Sequence, residues 1–157
     1  MSNWRCWELG FIRIKFGIFN PMTPQHLIEL EGIVDTGAIY SVVPRRILEE
    51  LGVKPVERRR FKAFGGYVER DLGEVRIELM GRRRTITVIF GETDDATVLG
   101  VTALESFGLE VDPVRGTLKE AELLMLTYQL YSNRLSPQPM TLSAPSGRNT
   151  NHDTVNS

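Results

Sequence analysis

At 157 residues, 41% hydrophobic and 25% charged, the chain has an ordinary globular composition and the length of one domain with some excess. A formal net charge of -1 gives no overall electrostatic case for nucleic acid or an anionic membrane, and no apolar run approaches the ~20 residues that span a bilayer. Cys6 is the only cysteine and His26 and His152 the only histidines, so an internal disulfide and a thiolate cluster are excluded, and no metal or other cofactor is expected.

Residues 1–10 hold Arg5 and Glu8 among aromatics and no signal-peptide core, so a cytoplasmic, reducing compartment is the expectation. In this N-terminal segment Trp4 and Trp7 either pack on the domain or sit at an interface. Residues 11–19 alternate, with Ile12, Ile14, Phe16 and Ile18 on one face and Arg13 and Lys15 on the other, which predicts a strand. Asn20-Pro21 and Thr23-Pro24 turn the chain, and residues 26–34 return as a second strand with Ile28, Leu30 and Val34 on one face. This hairpin leads into Asp35-Thr36-Gly37-Ala38. Residues 44–51 predict a short helix with Pro44 in its first turn, Ile47, Leu48 and Leu51 as its apolar stripe and Gly52 as its stop. A second hairpin rises over 61–64, turns at Gly65-Gly66 and returns over 67–80, and Gly81 turns the chain into a strand at 85–90. A polar turn at 92–95 precedes Val98-Leu99-Gly100, a short helix at 101–107 closed by Gly108, and strands at 109–111 and 117–126 around Asp112-Pro113. Residues 132–157 are rich in Ser, Pro, Asn and Thr and bury too little to offset their ordering entropy, which predicts a disordered tail and a domain at 11–131.

The segment that carries chemistry is Asp35-Thr36-Gly37-Ala38. A carboxylate ends an apolar strand and is followed by a hydroxyl residue and a glycine. The strand holds the carboxylate at a fixed, partly desolvated position. Gly37 lets backbone or substrate approach closely, and the Thr36 hydroxyl has the bonding capacity to lock the loop. Asp and Gly are also ordinary turn residues, so the tetrapeptide alone equally describes a tight turn.

In context, the chain resembles the retropepsin-like aspartic peptidases. Asp35-Thr36-Gly37-Ala38 matches the family's catalytic motif. Gly65-Gly66-Tyr67 lies where the family's flap hairpin has its glycine-rich tip, and Val98-Leu99-Gly100 matches its hydrophobic-hydrophobic-Gly signature. The resemblance spans roughly residues 11–124. It implies an all-β fold: a small closed β-barrel with one or two short helices and a flap hairpin. It also implies a hydrolase, an endopeptidase with Asp35 as its catalytic carboxylate, Thr36 and Gly37 supporting the catalytic loop, and Ala38, Gly65, Gly66, Tyr67 and Val98 contacting substrate. One Asp-Thr-Gly per chain implies a homodimer with a peptide or protein substrate, and no nucleic acid, membrane or metal partner. The sequence departs from the retroviral pattern at Ile39 and Val101, where an acidic residue and an arginine are usual. Both replacements are apolar, so apolar packing in place of that ion pair is the expectation.

An alternative on the same fold is a non-catalytic dimeric peptide-binding module. The runs Arg58-Arg59-Arg60 and Arg82-Arg83-Arg84 have acids nearby, including Glu57, Glu69 and Asp71, and are expected on solvated strand or turn surface. Glu92, Asp94 and Asp95 lack the remaining ligand pattern of a calcium loop. Cys6 has no identifiable catalytic partner.

Overall fold

The alternation at the start of the domain sets up its first hairpin, β1 (Ile12–Phe19) with β2 (Leu27–Asp35), paired antiparallel from Ile12↔Val34 to Phe19↔Leu27. The structure, a computed structural model, describes residues 11–123 and 125. The chain divides into two units, and the first, Met1–Leu123, holds every element described below. The expectations for segment 1–10 and for the tail 132–157 lie outside the described residues; the strand expected over 117–126 covers only Thr117–Glu120, and residues 121–123 and 125 are not strand.

Phe16 and Ile18 are buried as the period predicts, while Ile12 and Ile14 are half-buried. Phe19 breaks the pattern and is also buried, because β1 pairs a second strand on its other side, and the guanidinium groups of Arg76 and Arg83 stand 5.9 and 4.9 Å from its ring centre.

After Asp35 come β3 (Ser41–Pro44), α1 (Arg45–Glu50), β4 (Glu57–Ala63), β5 (Gly66–Leu79) and β6 (Arg82–Gly91). The chain ends its described part with β7 (Val98–Gly100), α2 (Val101–Phe107), β8 (Leu109–Asp112) and β9 (Thr117–Glu120). The molecule is mostly β. A seven-stranded sheet runs in the order β1-β2-β7-β3-β6-β5-β4. Strand β1 also pairs with β5 at Gly17↔Glu78, Ile18↔Ile77 and Phe19↔Arg76, so the sheet returns onto its first strand and leaves β4 outside. The core inside it gathers Phe16, Ile18, Val75, Ile77, Val88, Phe90 and Leu99, capped by Leu48 of α1 and Leu104 and Phe107 of α2. β8 and β9 form a separate two-stranded sheet whose Val111 and Leu118 pack against this core.

Further expectations are corrected, among them the strand expected at 85–90, which spans Arg82–Gly91 because its arginines pair in register with β5. Pro44 ends β3 and stands at the N-cap of α1 rather than inside its first turn. The second hairpin begins at Glu57, not at residue 61, because the cross-strand ion pairs of Arg58 with Glu69 and Asp71 supply what apolar alternation does not. Its tip is Phe64-Gly65, not Gly65-Gly66, since Gly66 already pairs with Ala63. Gly65 has φ 88 and Phe64 a negative φ, the order of a type II turn, which demands glycine at its second central position.

Among the described residues no helix is long and apolar enough to cross a membrane.

Candidate active site

Strand order fixes the site. β2 runs parallel to β7 and β3 antiparallel to it, so β7 lies between two strands that the loop 36–40 connects. That loop must pass over the C-terminal end of β7, where Asp35 pairs with Gly100. Gly100 leaves room for the crossing: a Cβ there would stand 2.7 Å from the Tyr40 carbonyl carbon and oxygen and 2.9 Å from the Ala38 oxygen.

The loop is tied to the start of α2. The Val101 N–H donates to the Ala38 carbonyl at 2.8 Å, and the Thr102 N–H and hydroxyl both donate to the Ile39 carbonyl, at 3.2 and 2.7 Å. Two otherwise unpaired N–H groups of the first helical turn are thereby satisfied by loop carbonyls. The buried Ser41 hydroxyl oxygen accepts from the Gly100 N–H at 2.9 Å.

Within this frame Asp35 is held at its own turn. The Gly37 N–H donates to Asp35 Oδ1 at 2.9 Å, and the Ala38 N–H to the Asp35 carbonyl at 3.2 Å. In the single chain the Asp35 side chain is exposed rather than partly desolvated, since it caps the end of the sheet. The Thr36 hydroxyl makes no hydrogen bond among the described residues. The lock falls to Gly37, Ser41 and Thr102 instead. Val101 is half-buried, but Ile39 is 63% exposed, so apolar packing does not replace the missing ion pair within one chain.

A cavity of about 670 Å³ lies between the loop and the second hairpin. Gly37, Ala38, Tyr40 and Val98 line it from one set of elements, and Phe61, Lys62 and Val68 from the hairpin. Tyr40 bridges the two: its ring meets Phe61 edge-on, with centroids 6.3 Å apart and planes at 87°, and its hydroxyl accepts from Arg59 Nη1 at 3.3 Å. Of the residues singled out in the sequence, Gly37, Ala38 and Val98 therefore share one cavity wall. Asp35 and Thr36 stand beside it, exposed at the turn. Gly65, Gly66 and Tyr67 are exposed at the hairpin end and do not line it.

Ion pairs fix the base of the hairpin. Arg45 of α1 donates to Asp71 Oδ2 at 2.8 Å and to Glu92 at 2.9 Å, while Arg58 of β4 reaches Asp71 Oδ1 at 3.3 Å. Arg70 donates to Asp95 Oδ2 at 2.7 Å. The hydrogen bond from Arg45 holds the Asp71 carboxyl below the usual carboxylate range, and that from Arg70 does the same for Asp95. Arg59 and Arg70 face each other across the two strands, an unfavourable register relieved by Glu57 on one side and Asp95 on the other.

Nothing local marks Ser41, Tyr40 or Arg45 as site-building residues, because their partners lie far along the chain. Against protein-family models and curated proteins the chain has no match.

Proposed function

We propose that the chain is one subunit of a homodimeric aspartic endopeptidase of retropepsin-like type. The observation that carries the reading is the exposed Asp35 carboxylate, held by the Gly37 N–H on a loop strapped to Val98-Leu99-Gly100, next to a cavity that the second hairpin overhangs. The returning sheet with its two short helices supports the closed-barrel form of that fold.

A lone exposed carboxylate is a weak hydrolytic group. A second copy related by a twofold axis supplies a second Asp35 and covers both, along with the exposed Ile39. Two carboxylates in contact cannot easily both ionise, so the pair holds one proton. The ionised member takes a proton from water as it attacks the peptide carbonyl, and the protonated member donates to the carbonyl oxygen. No covalent intermediate with the protein forms. Asp35 Oδ1, already accepting from Gly37, is fixed in orientation, which lowers the reorganisation required at the moment of reaction. The peptide lies extended between loop and hairpin, with an apolar side chain in the cavity against Val42, Val68, Ile89 and Val98.

Digestion of a peptide library by the wild type and by Asp35→Asn tests the reading. The variant keeps shape but removes the ionisable group, so cleavage falls by roughly 10⁴-fold or more, and a pepstatin-type inhibitor binds the wild type. Cleavage retained by the purified variant overturns the assignment.

A further inference from the structure

Strand β4 is the edge of the seven-stranded sheet and pairs with β5 alone among the described residues. Its other side offers a row of backbone N–H and C=O groups to a further strand. Along its seven residues stand Arg58, Arg59, Arg60 and Lys62 against one carboxylate, Glu57, and every one of them except Phe61 is exposed. Part of that charge is already engaged. Arg59 pairs with Glu57 at 2.8 Å, and Arg58 with Glu69 and Asp71 at 3.5 and 3.3 Å. Arg60 and Lys62 have no ion-pair partner among the described residues. The Arg60 guanidinium lies 4.7 Å from the ring centre of Tyr67, the residue opposite Lys62 in register. Two residues apart, Arg60 and Lys62 belong to one face of the strand, while Phe61 between them turns to the other, into the cavity whose lining Lys62 also borders.

Cations on a free edge discourage two copies of β4 from pairing with each other. An acidic strand is the complement. We propose that β4 is the docking edge for an extended peptide segment bearing acidic side chains. The proposal rests on the peptidase reading and names its substrate class. The peptide adds to β4 as a strand. Its carboxylates, at alternate positions, meet Arg60 and Lys62, while the apolar residue between them enters the cavity beside Phe61. The cavity lining carries both signs of charge, Asp94 and Asp95 against Arg59, Lys62 and Arg70, so its walls do not exclude a carboxylate and the acidic preference is assigned to Arg60 and Lys62 on the edge strand.

The test uses the full-length Asp35→Asn protein, so that bound peptide is not cut. A labelled peptide of about ten residues, apolar at its centre with glutamates at alternate positions, is compared by fluorescence anisotropy with its glutamine counterpart. The glutamate peptide binds about tenfold more tightly at ~50 mM salt, and the difference shrinks at ~500 mM. Arg60→Glu with Lys62→Glu removes the preference in a variant that still unfolds cooperatively, and the same variant favours a lysine-bearing peptide. Lys62→Gln alone reduces the preference in part, a second readout independent of charge reversal. Equal binding of the two peptides overturns this inference and leaves the peptidase reading standing. Binding of neither also overturns this inference, and the cleavage assay on Asp35→Asn then decides the peptidase reading separately. Tighter binding of a single-stranded oligonucleotide of equal charge overturns it in favour of nucleic acid.

Discussion

A side-chain carbon on Gly100 would stand 2.7 Å from the carbonyl oxygen of Tyr40. This approach is what lets the chain cross over the end of β7 between Asp35 and Ser41. Gly100→Ala presses on backbone, which cannot rotate aside as a flexible side chain does. The expected cost is about 1–3 kcal/mol of folding stability, with a larger loss of peptide cleavage, because the strained loop is the one that carries Asp35. Urea denaturation alongside a cleavage assay checks both, and a fully stable, fully active variant contradicts the loop account.

The clamp at the base of the hairpin has a pH signature. Asp71 accepts from Arg45 at 2.8 Å and lies only 15% exposed, and its carboxyl titrates below the usual range. A depressed folded-state pKa means that its stabilisation is fully present above the unfolded value of about 3.9 and is lost as pH falls through the lower folded value. Asp71→Asn therefore lowers stability by about 1–2 kcal/mol near neutral pH, and the gap to wild type closes below about pH 4. Asp95, lowered by Arg70, follows the same sign. Denaturant titrations across that range measure it, and a gap that persists in acid shows the clamp to be something other than an ion pair.

At the hairpin end, Gly65 and Gly66 have φ 88 and 150, and a Cβ at either would meet nothing within 4 Å. Valine there costs backbone strain of about 1–2 kcal/mol and no packing. The double substitution reshapes the tip locally, so turnover falls or the Michaelis constant rises while the melting temperature falls by about 3–8 °C. Normal cleavage by the double variant removes the hairpin from the catalytic account.

The elements that were legible in the sequence are those whose signal is local. The Ile12-Ile14-Phe16-Ile18 alternation marked β1, and Gly100 and Gly108 bracketed α2 at the bounds found, with Gly108 left-handed at φ 65. Strand β3 escaped notice because Ser41-Val42-Val43-Pro44 is four residues long, begins with a polar residue and ends in a proline, yet buries Ser41 and Val43. The start of β4 was hidden because three successive arginines have no apolar period. Their strand is set by acids on β5. The same limit applies to the site. Asp35-Thr36-Gly37 is contiguous and readable, whereas the bonds Ser41–Gly100 and Arg45–Asp71 join residues 59 and 26 apart. The exposure of Asp35 in the single chain was equally hidden, since a sequence motif carries no information on what covers it.

Catalysis that needs an Asp35 from each of two chains has a distinctive signature in subunit mixing. Wild-type protein at fixed amount is equilibrated with increasing Asp35→Asn, and peptide cleavage is measured after exchange. If both carboxylates are required, mixed dimers are inactive, and one equivalent of the variant lowers cleavage to about half, with a large excess nearly abolishing it. Cleavage that stays at the wild-type level however much variant is added would mean that each chain holds a complete site, and would contradict the account.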